Sequence, residues 1–447
     1  MITLYGQAPL PLDLSGTNGR TLADNGNEVK ASDRAFHEWY RFVLSYPPHL
    51  VREYFGRFSL SPGDTVLDPF CGTGTTLVEA KLHHLRAVGV EANPFPHFAS
   101  TVKTDWRIDP AELVSKALQI AEDTHQTLRE HGIDDDSVYN GDTSRLSALS
   151  PEGTKALIKD SISPVPLHKT LVLRDRLRRE QNSAFYQYGL LALGKALVTT
   201  IGNLKFGPEV GVGRVKDDVA VLPAWLAEIH QMARDLRALD DCEHFPTELY
   251  LADAREAGQL LPAGSIDAVI TSPPYPNEKD YTRTTRLETV ILGFAGDIHS
   301  VQTIKKRLVR SNTRSVYKDD DDQRWVADHE GIQRLADEIE QRRIELGKNS
   351  GFEKLYARVT RLYFGGMARH LAELRPALKP GARLAYVVGD QASYLRVMIR
   401  TGTILAELAE RLGYQVEGID LFRTRFATAT QSDLREEVVV LRWPGFR

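Results

Sequence analysis

Two cysteines, Cys71 and Cys242, are all that 447 residues contain. They are too few for a disulfide framework or a thiolate metal cluster, and such sparing use fits a reducing cytosol. Long apolar runs are missing as well: nowhere do about 18 apolar residues follow one another, so no membrane span or membrane partner is expected. The opening residues, Met1 to Gly6, lack a basic stretch leading into an apolar one; no secretory leader is expected and the chain is read as cytoplasmic. Charge of one sign is not in excess either. Lys plus Arg number 56 against 60 Asp plus Glu, a formal charge of −4, so any nucleic-acid contact must rest on local basic patches. The histidines are scattered outside any zinc-binding spacing, and no metal is expected. What the chain does have is 42% hydrophobic content, enough to bury a large core in one elaborated domain or two to three smaller ones.

Short apolar runs alternate with helical stretches, the pattern of an α/β domain with a parallel sheet and crossover helices. Strands are expected at Thr65 to Asp68, Ala87 to Glu91, Leu249 to Asp253, Ile266 to Thr271 and Arg383 to Val388. Two last runs, Gln415 to Phe422 and Glu436 to Leu441, read as an antiparallel hairpin at the sheet edge and bring the count to seven. Two intervals are too long for plain loops and are expected to be insertions with structure of their own. The first, residues 100–245, carries helical patterns at Asp109 to Glu130, Ser183 to Ile201 and Val221 to Leu239, with a cationic stretch from Lys169 to Arg179. The second, residues 282–351, carries Lys305, Lys306, Arg307, Arg310, Arg314 and Lys318 with no acid among them, followed by four aspartates, Asp319 to Asp322. Methylene stems and charged heads of this kind are as often a solvated helix face as a phosphate-binding surface.

The chemistry begins at Asp68-Pro-Phe70-Cys-Gly72-Thr-Gly74, at the end of a strand and opening a helix. Glycines there let backbone amides approach a ligand at the carboxyl end of the sheet, where open α/β folds bind their ligands. A lone Gly-x-Gly is equally an ordinary tight turn. Glu91 shifts the balance, since a carboxylate ending the second strand can take both hydroxyls of a ribose. The loop has too few glycines for a dinucleotide fingerprint, and Asp68 would repel a pyrophosphate but attract an ammonium group. The combination favours S-adenosylmethionine over NAD.

The next element is Thr271-Ser272-Pro273-Pro274-Tyr275, behind the strand that carries Asp267. Its prolines stiffen the loop and remove two backbone donors, leaving carbonyls to act as acceptors. An exocyclic amine on cytosine or adenine is a poor nucleophile because its lone pair is delocalised into the ring. Acceptors at the Ser272 hydroxyl and the Pro273 carbonyl draw its N–H bonds out of plane and localise that pair. Tyr275 is expected to stack on the base.

At this point the sequence resembles the DNA amino-methyltransferase family, whose members act on cytosine N4 or adenine N6 and pair a Phe-x-Gly-x-Gly loop with an Asp/Asn/Ser-Pro-Pro-Tyr/Phe loop. The resemblance covers residues of about 36–100, 246–282 and 352–445. It implies a Rossmann-like, seven-stranded sheet, a cofactor loop at Asp68, Phe70, Gly72 and Gly74, a ribose acid at Glu91, an adenine contact at Asp253 and a catalytic loop from Ser272 to Tyr275. It also implies that Tyr46-Pro-Pro-His-Leu-Val51 starts a helix that closes over the methionine part of the cofactor. Serine in the first loop position is associated in this family mostly with cytosine N4.

The layout departs from many Ser-Pro-Pro-Tyr members, because here the cofactor loop precedes the catalytic loop. The chain therefore divides into residues 1–99 with the cofactor loop, a helical insertion 100–245 as candidate target recognition, a core piece 246–281 with the catalytic loop, a second insertion 282–351 as candidate DNA contact, and core residues 352–447. Double-stranded DNA is the expected partner, with a cognate restriction or defence component beside it. Adenine N6 or an RNA amino group is the alternative target; a tRNA guanine-N2 enzyme would be expected to carry an N-terminal RNA-binding domain, and only 67 residues precede Asp68. A non-catalytic DNA-binding protein is the remaining reading. Cytosine C5 chemistry is not expected, since it needs a cysteine beside a proline and neither cysteine follows one; Cys71 reads as a small residue in the cofactor loop.

Overall fold

The computed structural model describes residues 20–22, 30, 33–41, 45–207, 210–239, 245–277, 279–392, 394–427 and 432–446; Cys242 lies outside them. Its main sheet has seven strands. In chain order these are β1 (Thr65–Asp68), β2 (Arg86–Glu91), β3 (Thr247–Leu251), β4 (Ile266–Thr271), β5 (Leu378–Gly389), β6 (Gln415–Ala427) and β7 (Ser432–Arg442). They lie side by side as β3-β2-β1-β4-β5-β7-β6. The first five are parallel; β7 runs antiparallel to β5, and β6 antiparallel to β7. Strand order reverses at β1, which has β2 on one side and β4 on the other. The loops leaving β1 and β4 therefore part from one another at the carboxyl end of the sheet, which opens a crevice.

Strands buried on both faces read as continuous apolar runs because each alternate side chain needs its own cover. Val66, Ala268 and Ile270 point to one face, where Leu50 and Tyr54 of helix α1 (Pro48–Arg57) and Leu77 of helix α2 (Thr75–Leu82) pack. Leu67, Val88 and Val269 point to the other, under Phe364, Met367 and Leu371 of the long helix Tyr356–Leu374. The second insertion adds Ile332 and Ile339 of its helix Glu330–Glu345 to that same layer.

The first insertion is helical, with helices Pro110–Glu130, Pro164–Arg178, Phe185–Ala196 and Val221–Arg237. Asp109 caps the first by accepting from the amides of Ala111 and Glu112, the expected use of an aspartate at that position. Its core is not private: Ile120, Leu173, Leu191 and Trp225 share one cluster with Phe36, Trp39, Phe95 and Ile291. Trp39 donates from Nε1 to Asp235 at 2.8 Å, so residues far apart in the chain close this core together.

Several boundaries differ from expectation, and the last three strands are longer than their apolar runs, at Leu378–Gly389, Gln415–Ala427 and Ser432–Arg442. The third strand starts at Thr247 and stops at Leu251, because the Asp253 side chain accepts from the Arg255 amide and turns the chain into a 3₁₀ turn. The helix expected to run to Ile201 changes to a π turn over Leu197–Ile201. A small hairpin, Leu204–Lys205 with Gly211–Val212, follows it. No helix among the described residues is long and apolar enough to cross a membrane.

Candidate active site

The cofactor loop leaves β1 at Asp68 and enters α2 through Gly74. Gly72 and Gly74 have φ of +52° and +82°, a left-handed backbone that glycine adopts without strain. Gly89 on β2 serves a different end: a Cβ there would stand 2.7 Å from Leu77 Cδ1, so its absence lets α2 lie close on the sheet.

Asp68 is fully buried behind the loop. It accepts from Thr271 Oγ1 at 2.6 Å, Tyr46 Oη at 2.9 Å and the Phe70 amide at 3.1 Å, and Tyr46 also bonds Thr76. Burial raises its carboxyl pKa, against the pull of those donors. Glu91 accepts from the Gly72 amide at 2.9 Å and the Asn93 amide at 2.7 Å. Burial pushes its pKa up to about 7. Burial likewise raises the Cys71 thiol well above its ordinary range, which keeps it protonated and non-nucleophilic.

Two groups that the sequence did not single out hold this loop from behind. Ser100 Oγ donates to the Gly72 carbonyl at 2.7 Å, and Lys103 Nζ donates to the Thr73 carbonyl at 2.7 Å and the Tyr40 carbonyl at 3.2 Å. Lys103 is almost fully buried, and that burial pulls its pKa down to about 7. Both stand on helix α3 (Pro94–Thr104); three residues apart on a helix, they share a face, the one signal that could have paired them.

The loop after β4 carries Ser272 to Tyr275. Ser272 Oγ donates to the Val387 carbonyl at 3.2 Å, which commits the hydroxyl proton and leaves its lone pairs as acceptors. The Tyr275 amide donates to Tyr281 Oη at 3.1 Å. Gly389 lies under the ring; a Cβ there would be 3.1 Å from Tyr275 Cε2. Burial, and then the nearby Glu436, raise the Tyr275 hydroxyl pKa.

Phe70, Gly72, Glu91, Asp253, Ser272, Pro273, Pro274 and Tyr275 all line one cavity of about 500 Å³, together with Tyr46 from the segment just before α1. Its size lies within the roughly 300–1,000 Å³ of small-molecule sites. Asp68 and Gly74 do not reach the surface of this cavity and support it from behind. Asp253 lines it, yet both its carboxylate oxygens accept from Arg255 Nε at 3.0 Å, and Arg255 in turn bonds Asp322. Thr73 Oγ1 and Asn93 Oδ1 are buried without a hydrogen-bond partner, and both residues belong to the lining. An S-adenosylmethionine matches this lining: the Glu91 carboxylate for a ribose, an aromatic ring at Phe70, and unsatisfied polar atoms in need of a ligand.

The first basic run is largely paired within the protein and the second in part: its Lys306, Arg314 and Lys318 are exposed, with no carboxylate of the described residues within ion-pair distance. In the first, Lys169 is buried between Asp135 and Asp218, and Arg176 pairs with Asp123. In the second, Lys305 pairs with Asp280 at 2.6 Å and the buried Arg310 with Asp320 at 2.8 Å, while Arg307 reaches the Leu251 carbonyl at 2.6 Å and lines the cavity. As for metals, His125, Asp134 and Asp136 bring ligand atoms within 4.8 Å of one another, a surface grouping in which His125 already bonds Asp134 at 3.1 Å.

Residues 23–97 match the DNA methylase family of N6 and N4 enzymes. Along nearly its whole length the chain is similar to two Type II methyltransferases. It is 24% identical over 445 residues to M.BsoBI of Geobacillus stearothermophilus, covering 92% of this chain and 84% of that protein. It is 24% identical over 437 residues to M.AvaI of Nostoc, covering 91% and 86%. So much of the chain is covered that both insertions share in the similarity. A shorter stretch of 120 residues is 32% identical to a tRNA (guanine(10)-N2)-dimethyltransferase of Methanothermobacter thermautotrophicus, 27% of each chain. Both similarities are to methyltransferases, along nearly the whole chain to Type II methyltransferases and over the cofactor loop to the DNA methylases, with S-adenosylmethionine as the cofactor.

Proposed function

We propose that the chain methylates the exocyclic N4 of cytosine at a specific sequence in double-stranded DNA, as the modification partner of a restriction or defence system. The observation that carries the reading is the Ser272 hydroxyl, whose proton is directed to the Val387 carbonyl. Ser272 lines the cavity, and its oxygen is the first acceptor for the amine, as the resemblance to serine-type members of the family implies. The Pro273 carbonyl is the second acceptor, and together they oppose delocalisation of the amine lone pair into the ring.

S-adenosylmethionine supplies an electrophilic methyl on its sulfonium; Glu91, Asp253 and the Gly72 to Gly74 backbone are the residues assigned to hold it. Tyr275 offers a ring for a base turned out of the helix, which offsets part of the few kcal/mol that unstacking costs. The names of the full-length relatives, both Type II methyltransferases, support the restriction–modification setting.

The test is direct. Duplex DNA incubated with the purified chain and labelled S-adenosylmethionine is digested to nucleosides and analysed by mass spectrometry, and DNA from expressing cells is sequenced by a method that reports modified bases. N4-methylcytosine in one sequence context is the expected product. N6-methyladenine would move the target to adenine, and 5-methylcytosine would overturn the mechanism, since the buried Cys71 is held as a thiol.

A further inference from the structure

The DNA-facing surface need not be a basic run in an insertion, because another element projects from the sheet directly over the cavity. Strand β7 pairs with β5 only from Arg442 to Glu436. Its pairing with β6 continues beyond, through Thr424↔Arg435, Arg425↔Leu434, Phe426↔Asp433 and Ala427↔Ser432. These pairs form a two-stranded ribbon that leaves the sheet where Gly389 ends β5, the same end at which the cavity opens. Phe422, Arg423, Arg425 and Glu436 line the cavity from that side.

The ribbon's chemistry differs from that of the insertions. Arg423 is tied to Glu436 by two bonds of 2.6 and 2.9 Å, which fix the two strands to each other, and Arg435 is tied to Glu437 of its own strand at 2.8 Å. Arg425 is exposed, and no carboxylate of the described residues lies within ion-pair distance of it. Phe426, the next residue of the strand, stands 58% exposed, a large ring in water. Arg425 lines the cavity and Phe426, the next strand position, projects from the other face of the ribbon; a cation on one face and an exposed ring on the other suit a polyanion whose bases present flat apolar faces, and a two-stranded ribbon has the width that a major groove admits.

We infer that this ribbon is the surface on which the substrate duplex seats, Arg425 meeting a phosphate and Phe426 packing against bases next to the one that enters the cavity. The inference rests on the reading that the substrate is DNA. It places a duplex contact on β6 and β7, whose Arg423 and Arg425 line the cavity.

The experiment uses the full chain, Arg425→Ala, Phe426→Ala and the double variant, on a duplex carrying the sequence that modified-base sequencing identifies. Binding is followed by fluorescence anisotropy across a salt series, and methyl transfer by label incorporation. Arg425→Ala should lower the salt slope by about one unit. Phe426→Ala should keep the slope and lower methylation of the paired duplex by about tenfold or more. That loss should shrink on a duplex whose target base is mismatched, where less unstacking is required. A double variant with the parent's salt slope and the parent's rate on paired duplex overturns the inference. A parent that labels no DNA would sink the functional reading instead, and the salt slope, read by binding alone, would still judge the ribbon.

Discussion

Thr271 Oγ1 donates to Asp68 Oδ1 at 2.6 Å, across 203 positions of sequence. The bond joins the last residue of β4 to the last residue of β1, and so ties the catalytic loop to the cofactor loop at the point where strand order reverses. Asp68 is fully buried, so a lost donor there costs the desolvation of a charged group, about 1–3 kcal/mol or more. Thr271→Val should therefore destabilise the fold by that amount and weaken S-adenosylmethionine binding, whereas Thr271→Ser should restore both. Urea unfolding and calorimetric titration read the two effects. A valine variant with parental stability and affinity would show that the bond couples nothing.

Affinity for the cofactor should also depend on pH, and the sign follows from Glu91. Burial raises its pKa to about 7, so below that value the carboxyl is protonated and offers a ribose one acceptor fewer. Binding that uses the carboxylate should tighten as pH rises from about 6 to 8, and Glu91→Gln should remove the pH dependence along with about tenfold or more of the affinity. Gly72→Val should weaken binding for a different reason. A Cβ there meets no protein atom within 4 Å, so the cost comes from a branched side chain forced to φ of +52° and protruding at the cavity wall. Parental affinities in both variants would remove these residues from the cofactor site.

How much of this was legible in the sequence depended on the range of the forces involved. β1 and β4 lie where expected, residue for residue, because each apolar run is bounded by its own turn chemistry. Asp253 was placed at a strand end, but its side chain bonds its own neighbour's amide and shortens the strand. The pairing of the acid-free run from Lys305 to Lys318 is not legible in the sequence: Asp320 lies just past the run, but Asp280 lies 25 residues before Lys305, and spacing alone does not say which charges meet. The core of the first insertion was illegible because Trp39 and Asp235 are brought together only by folding. The projecting ribbon escaped notice because the apolar runs that mark β6 and β7 stop where their burial stops, while the backbone pairing goes on.

Lys103 offers a test of the support behind the loop. Its folded pKa of about 7 lies below the ordinary 10.5, so between these values the unfolded chain binds a proton that the folded one lacks, and stability from this site rises with pH. Lys103→Met abolishes that term. Measured against the methionine variant, the parent should gain stability as pH rises from 7 to 10, by up to about 1.4 kcal/mol per pH unit. Because Lys103 also anchors the Thr73 carbonyl, the variant should bind the cofactor less tightly at every pH. A stability difference that stays flat with pH would mean that the lysine is charged in the folded protein.

The chemistry itself is tested at Ser272 and Tyr275, where binding and turnover should separate. The Ser272 hydroxyl gives its proton to Val387, so its role toward the amine is that of an acceptor whose bond strengthens as the nitrogen rehybridises. An interaction made mainly in the transition state lowers kcat when removed and leaves ground-state affinity nearly intact. Ser272→Ala should therefore cut turnover by about a hundredfold, the scale of other charge-stabilising groups, while calorimetry finds S-adenosylmethionine bound as in the parent. Tyr275→Ala should instead lose about 1–3 kcal/mol of stacking on the extruded base, seen as weaker duplex binding and slower methylation together. That deficit should narrow on a duplex with a mismatch at the target, where extrusion is easier. If Ser272→Ala turned over at the parental rate, the acceptor role would fall, and Tyr275 would remain as a base contact only.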